Sequence, residues 1–173
     1  MPDQIPILSF IVFSPLLGVL ILLFVPATRG GVIRTVGIGT TFLPLLLGGW
    51  VYAAFNLNDA DPQFAETHRW IDFSLNTEQL EQLMAVESYR VQFDYALAVD
   101  GISLPLVFLT GLVAAMAAFA SLHIQKRFKT YFILFLLLET GMLGVFLARD
   151  LFLFFLFFEI TLVPMFFLVG IYG

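Results

Sequence analysis

Five apolar stretches, each about as long as a bilayer is thick, constrain this chain more than any other feature; they run roughly over 7–25, 32–55, 104–122, 131–148 and 151–172. A helix needs about 20 residues to cross the ~30 Å hydrocarbon layer, with a range near 17–25. The apolar residues come in blocks rather than in the 3.6- or 2-residue alternation of a soluble fold. Hydrophobic residues make up 60% of the 173 positions and charged ones only 12%, against roughly 45–50% and 25% in soluble domains. The fold class expected is an all-α integral membrane protein of about five transmembrane helices, with an extramembrane hairpin or loop between helices 2 and 3.

The order of segments follows. Residues 1–55 hold helices 1 and 2, residues 56–99 an extracytoplasmic loop or hairpin, and residues 100–173 helices 3 to 5. Short turns at 26–31 and 149–150 make neighbouring spans antiparallel. Pro15, Pro44, Pro105 and Pro164 interrupt four of the spans, which lipid tolerates where neighbouring groups satisfy the freed carbonyls. The start, Met1-Pro2-Asp3-Gln4, is acidic where a signal peptide is basic, so the first stretch reads as a retained helix.

Loop charge sets the orientation. Arg29, Arg34, Lys126, Arg127 and Lys129 lie in the connections near 26–34 and 123–130 without an acid beside them. On the other side Arg69, Arg90 and Arg149 are diluted among eleven acids. Short basic loops stay in the cytoplasm, so the N-terminus is expected outside and Gly173 inside, in a multi-pass protein of the cell inner (plasma) membrane.

Within 56–99, two alternating runs, Ile71-Asp72-Phe73-Ser74-Leu75 and Val91-Gln92-Phe93-Asp94-Tyr95-Ala96-Leu97, read as strands. Between them Thr77–Arg90 reads as a short amphipathic helix, with Leu80, Leu83, Met84 and Glu87 at helical spacing. The segment is either a clip that braces a neighbour or an ordered cover over helix ends.

The chain has no cysteine and only two histidines, His68 and His123. Thiolate metal sites and disulfides are thereby excluded, and no phosphate loop, HExxH or dinucleotide fingerprint occurs. Redox chemistry on this chain has no visible means. His123, beside Lys126 and Arg127, reads as an interfacial residue, and Asp100 in Val99-Asp100-Gly101-Ile102-Ser103 as an N-cap of the third span.

Two carboxyl groups remain inside spans: Glu139 in the fourth and Glu159 in the fifth. A charge at a helix centre costs about 2.5–3.5 kcal/mol on insertion scales, and such residues face a bundle interior or a watery cavity and mark ion or proton paths. At 1.5 Å per residue, Glu159 lies about 12 Å and Glu139 about 13 Å from the same end of their antiparallel helices. Similar depth is therefore expected, with helix rotation, and so whether they face each other, left open. Pro164 frees the carbonyl of Ile160 close to Glu159, and Thr161 is a candidate to satisfy the backbone there. Both carboxyls also admit a purely structural role as interhelical hydrogen-bond partners. The phenylalanine-rich run from Phe152 to Phe158 reads as packing.

The run from Ala148-Arg149-Asp150-Leu151-Phe152 through Phe158-Glu159-Ile160-Thr161-Leu162-Val163-Pro164-Met165 to Gly173 resembles subunit M of NADH-quinone oxidoreductase, respiratory complex I. Val99-Asp100-Gly101-Ile102-Ser103-Leu104-Pro105-Leu106-Val107 is similar to the third span of the same family. The related L-type chain and multisubunit sodium/proton antiporter chains share the glutamate but usually differ after it. The resemblance implies an antiporter-like, proton-translocating subunit without redox centres, with quinone, NADH, flavin and iron–sulfur clusters elsewhere in the complex. Its partners would be the other membrane subunits, antiporter-like neighbours included, and the lipid bilayer, with no nucleic acid. It implies that Glu159 is an essential proton-path residue paired with a lysine on a later broken helix, and Glu139 is the second proton-relay candidate. No lysine lies in any span of this sequence and the family is several times longer; an N-terminal fragment that cannot pump alone is the expectation. Two other readings stay open: a subunit of a multisubunit cation/proton antiporter, and a structural membrane scaffold.

Overall fold

In a computed structural model, which describes residues 6–59, 61–73, 91–124 and 127–173, the five apolar stretches are five helices. They are α1 (Ile7–Phe24), α2 (Gly30–Ala54), α3 (Ser103–Ala120, extended by a 3₁₀ turn Ser121–His123), α4 (Phe128–Leu147) and α5 (Leu151–Tyr172). All five are long and apolar enough to cross a membrane. Their ends fall within a few residues of the sequence expectation, because the turns are cut by Pro26, Arg29 and the Asp150 cap. The Asp150 carboxylate accepts the N–H groups of Phe152 and Leu153 and so starts α5.

Two buried clusters stack along the bundle. Leu8, Ile11, Val12, Val51, Leu104, Val107, Leu143 and Leu147 pack near the hairpin end. Val19, Leu22, Ile33, Ala114, Ala118, Phe132 and Leu136 pack toward the opposite end. At that opposite end, Lys129 Nζ donates to the carbonyls of Leu23 and Val25 (3.2 and 2.8 Å), closing the C-terminus of α1. A cation there also complements the negative end of the helix dipole.

Lipid tails are as apolar as leucine, so helix association in a bilayer relies on close van der Waals packing and small residues. Gly141 and Gly144 supply this between α4 and α5. A Cβ at Gly144 would stand 2.3 Å from the Phe157 ring, and one at Gly141 would stand 2.6 Å from the Thr161 methyl and 3.2 Å from the Phe157 carbonyl. Overpacking of this kind costs about 1–3 kcal/mol. Gly144→Ala is therefore expected to lower the thermal stability of the full-length chain, and Phe157→Leu in the same chain to restore part of the loss. Equal stability of wild type and Gly144→Ala in detergent unfolding would contradict this packing.

Beyond α2 the chain forms an antiparallel hairpin of β1 (Gln63–Phe73) and β2 (Val91–Val99), with Glu66 opposite Leu97 and His68 opposite Tyr95. The first strand begins at Gln63, well before the alternating run at 71–75 that marks it in the sequence. Register shifts between Gln63 and Glu66 and between Arg69 and Ile71 break the alternation. Phe64 adopts a positive φ of 55° at the first of them, the strained backbone that bulges impose. The amphipathic helix expected over Thr77–Arg90 lies outside the described residues. Asn56 and Gln63 bond reciprocally, N–H to Oε1 at 3.0 Å and Nε2 to carbonyl at 2.7 Å, fastening the hairpin to the end of α2.

Candidate functional site

The carboxyls in the spans are brought to one depth but not together. Gly144 meets Phe157, and Gly141 meets both Phe157 and Thr161, so in these antiparallel helices Glu159 is level with Met142. Glu139 is three residues from that level, about 5 Å along the axis at 1.5 Å per residue. The depth expected from the sequence is met. Rotation separates the two. Each residue advances a helix by about 100°. On α4, Glu139 shares a face with Phe132, Leu136 and Leu143, while Gly141 and Gly144, which touch α5, lie roughly half a turn away. On α5, Leu153, Phe157 and Pro164 are buried toward the bundle, and Glu159 lies roughly half a turn from them. A proton shared directly between the two carboxyls is incompatible with this arrangement.

Their surroundings differ as much as their directions. Glu139 has no exposed surface, and neither carboxyl oxygen has a hydrogen-bond partner among the described residues. Glu159 is exposed on the outer face of α5, among exposed Phe155, Phe158, Leu162, Val163 and Phe166. That face carries one acid in a wholly apolar field. Thr161 donates to the carbonyl of Phe158 at 2.6 Å, not to the Ile160 carbonyl that Pro164 releases from the helix. A backbone acceptor therefore remains one residue from Glu159.

At the hairpin end, Asp100 and Arg149 tie α3 to the start of α5. Asp100 caps α3, its Oδ1 accepting the N–H groups of Ile102 (3.0 Å) and Ser103 (2.7 Å), and its Oδ2 pairs with Arg149 at 2.8 Å. The Ser103 N–H bond, helped by Arg149 and Ile102, holds the Asp100 carboxyl below the usual carboxylate range against a smaller opposing effect of burial. A folded-state pKa below the unfolded one gives stability that is complete above the unfolded value and lost as pH falls through the folded one. The advantage of wild type over Asp100→Asn is thus expected to be level above about pH 5 and to shrink below about pH 4. The exposed ion pair itself contributes no more than about 1 kcal/mol. Thermal unfolding of both proteins across that range checks the sign.

Sequence reasoning missed Glu66. From β1 its side chain accepts the N–H groups of Leu8 (2.7 Å) and Ser9 (3.1 Å) and the Ser9 hydroxyl, and Tyr95 shares a 2.8 Å bond with the same hydroxyl. The residue is almost fully buried and caps α1 from 58 positions away. His123, by contrast, is exposed at the end of the 3₁₀ turn.

With this geometry in view, comparison with known proteins is informative. No protein-family model matches the chain. The chain is similar along its whole length to chain 4 of NAD(P)H-quinone oxidoreductase. The chloroplast chain 4 of Mesostigma viride is 31% identical over 172 residues, 99% of this chain and 31% of the relative. A chain 4 of Trichodesmium erythraeum is 32% identical over 174 residues, covering 100% and 28%, and one from Synechococcus sp. is 34% identical over 173 residues, covering 99% and 29%. The chain thus spans about three tenths of the length of the curated relatives it matches. Among solved structures, a chain of the membrane-bound sulfane sulfur reductase, an archaeal respiratory membrane complex, superposes with a TM-score of 0.69 at 26% identity, covering 96% of this chain and 23% of that one.

Proposed function

We propose that this chain is part of a proton-translocating membrane subunit of an NADH:quinone oxidoreductase, of the M type, and that Glu159 is its proton-handling residue. The observation that carries the reading is the position of Glu159: one acid near the middle of an apolar helix long enough to cross a membrane, on its exposed face. Against lipid that placement costs several kcal/mol. Against a further helix carrying a cation, it makes an ion pair whose making and breaking moves a proton. The chain-wide similarity to oxidoreductase subunits and the likeness to a respiratory membrane complex support the same reading. The cation would be the lysine that the family resemblance implies, on a helix of the longer protein. Redox chemistry belongs in this reading to other subunits, which hold the quinone, NADH, flavin and iron–sulfur sites. Loop charge supports an orientation in the plasma membrane with the N-terminus outside.

The mechanism asks little of this chain. While the cation is close, Glu159 is ionised and its field holds the pair. When the cation withdraws, the carboxylate in an apolar surrounding takes a proton from the hydrated side, and the returning cation expels it to the other. The freed Ile160 carbonyl is the nearest backbone acceptor for water on that route. NADH-driven proton uptake by inverted vesicles carrying Glu159→Gln in the full-length chain, with assembly measured on the same membranes, tests the reading. Unchanged uptake by an assembled complex leaves the scaffold reading in its place, and sodium-dependent transport without NADH oxidation favours the antiporter.

A further inference from the structure

Glu139 is a second polar centre, and its surroundings set out what it needs. Leu136 packs at Gly18 of α1, which also meets Thr40 of α2, and Phe132 packs at Gly37 of α2. Because α1 runs antiparallel and α2 parallel to α4, three residues on from Leu136 corresponds to Pro15 on α1 and to Leu43 and Pro44 on α2. Glu139 is therefore level with two buried prolines. Each lacks an N–H and releases the carbonyl four residues before it, Ile11 and Thr40 respectively, from the helix ladder.

Every hydroxyl at this level has spent its proton on its own helix. Ser14 donates to the Ile11 carbonyl (3.1 Å), Thr41 to Ile38 (2.7 Å), and Thr40 to Val36 and Gly37 (2.9 and 3.1 Å). What these groups offer inward is lone pairs. A carboxyl, a released carbonyl and hydroxyl oxygens make a cluster rich in acceptors, in which the only donor is the O–H of the carboxyl itself when it holds its proton. Lys129 and Arg149 are bonded at the two ends of the bundle, away from this depth. Buried polar atoms in native proteins are satisfied by protein or by ordered water, and a bound water needs two to four polar partners. Water brings two donors: one for the Glu139 carboxyl and one for a lone pair opposite it.

We infer that Glu139, the Thr40 carbonyl released by Pro44, and the hydroxyl oxygens of Ser14 and Thr41 form an internal water-binding site between α1, α2 and α4, on the side of α4 away from Glu159. The site stands on the packing of these helices and not on the function proposed above. It gives the bundle a hydrated carboxyl that exchanges protons with water inside the core.

Radiolytic hydroxyl labelling of the full-length protein in its native complex, read by mass spectrometry, tests it, because water held in a core oxidises side chains that bulk solvent does not reach. Peptides carrying Pro15, Leu136 and Leu143 are expected to be labelled in wild type and to fall to background in Glu139→Leu. Pro44→Ala, which returns an N–H to the Thr40 carbonyl, is expected to weaken the labelling too and serves where Glu139→Leu does not assemble. An unlabelled wild-type core overturns the site, as does labelling that survives in both variants. Labelling that appears in wild type only when sodium is replaced by choline assigns the oxygen cluster to a metal cation and overturns the water site.

Discussion

Glu159→Gln in the full-length chain is expected to reduce NADH-driven proton uptake by about tenfold or more while the complex still assembles. A positioned group that transfers a proton contributes about 10²–10⁴-fold to its step, so removing the exchangeable proton leaves a large deficit. The physical reason lies in the side of α5 that Glu159 occupies. Leu153, Phe157 and Pro164 hold the helix to the bundle, and none of them is disturbed by a change on the opposite face. Glutamine is nearly isosteric and keeps hydrogen bonding, so helix packing survives while charge and the exchangeable proton are lost. Glu159→Asp keeps both and shortens the reach by one methylene, and is expected to fall between. Uptake that is equal in all three proteins would show that the carboxyl only bonds neighbouring helices. A loss of assembly in Glu159→Gln with retained assembly in Glu159→Asp would indicate that the charge holds a partner rather than moves a proton.

The five spans were legible because lipid demands apolar side chains all round a helix, and only length and charge need be counted. The same uniformity hid the rotation of each helix: where every face is apolar, no polar stripe distinguishes the side turned to a neighbour. The depth of Glu139 and Glu159 could be counted from helix ends, but their opposite directions could not. The signal for rotation was present in Gly141 and Gly144, three residues apart on one face of α4, since small residues mark where helices approach. Asp100 was readable as a cap because its bonds are two and three residues away. The early half of β1 was not, because register shifts interrupt its alternation and Glu66 occupies an inward position that a pattern search reserves for apolar residues.

The hairpin end of the molecule behaves as one joined layer. Arg149 donates its backbone N–H to the Ala96 carbonyl at 2.9 Å and its side chain to Asp100, and Leu97 bridges to Ala148. β2, the start of α3 and the turn that launches α5 are thereby fixed to one another. The position of Glu159 depends on that turn, since Asp150 and Arg149 set where α5 begins. A hairpin that reads in sequence as a cover over helix ends is thus the frame from which the candidate proton helix is hung.

Glu66 is the joint between this layer and α1, and its loss is expected to be the largest stability effect of any polar substitution among the described residues. The first N–H groups of a helix have no partner within it, and at a membrane-spanning helix they also carry the positive end of the dipole. Glu66 meets both needs with one carboxylate, on the N–H groups of Leu8 and Ser9. Removing the carboxylate strands those donors in a buried place, and bonds to charged groups contribute about 1.5–3 kcal/mol, with the unsatisfied partner adding to the loss. Glu66→Ala is therefore expected to destabilise the full-length chain by about 2–4 kcal/mol and to open the hairpin to proteolysis. Glu66→Gln, which keeps an acceptor oxygen but not the charge, is expected to lose about half as much. Ser9→Ala removes the hydroxyl that Glu66 and Tyr95 share but leaves the backbone donors capped, so it is expected to cost less than either. If protease sensitivity of residues 56–99 and thermal stability are the same in Glu66→Ala as in wild type, α1 is held by its apolar packing alone and the hairpin is not its cap.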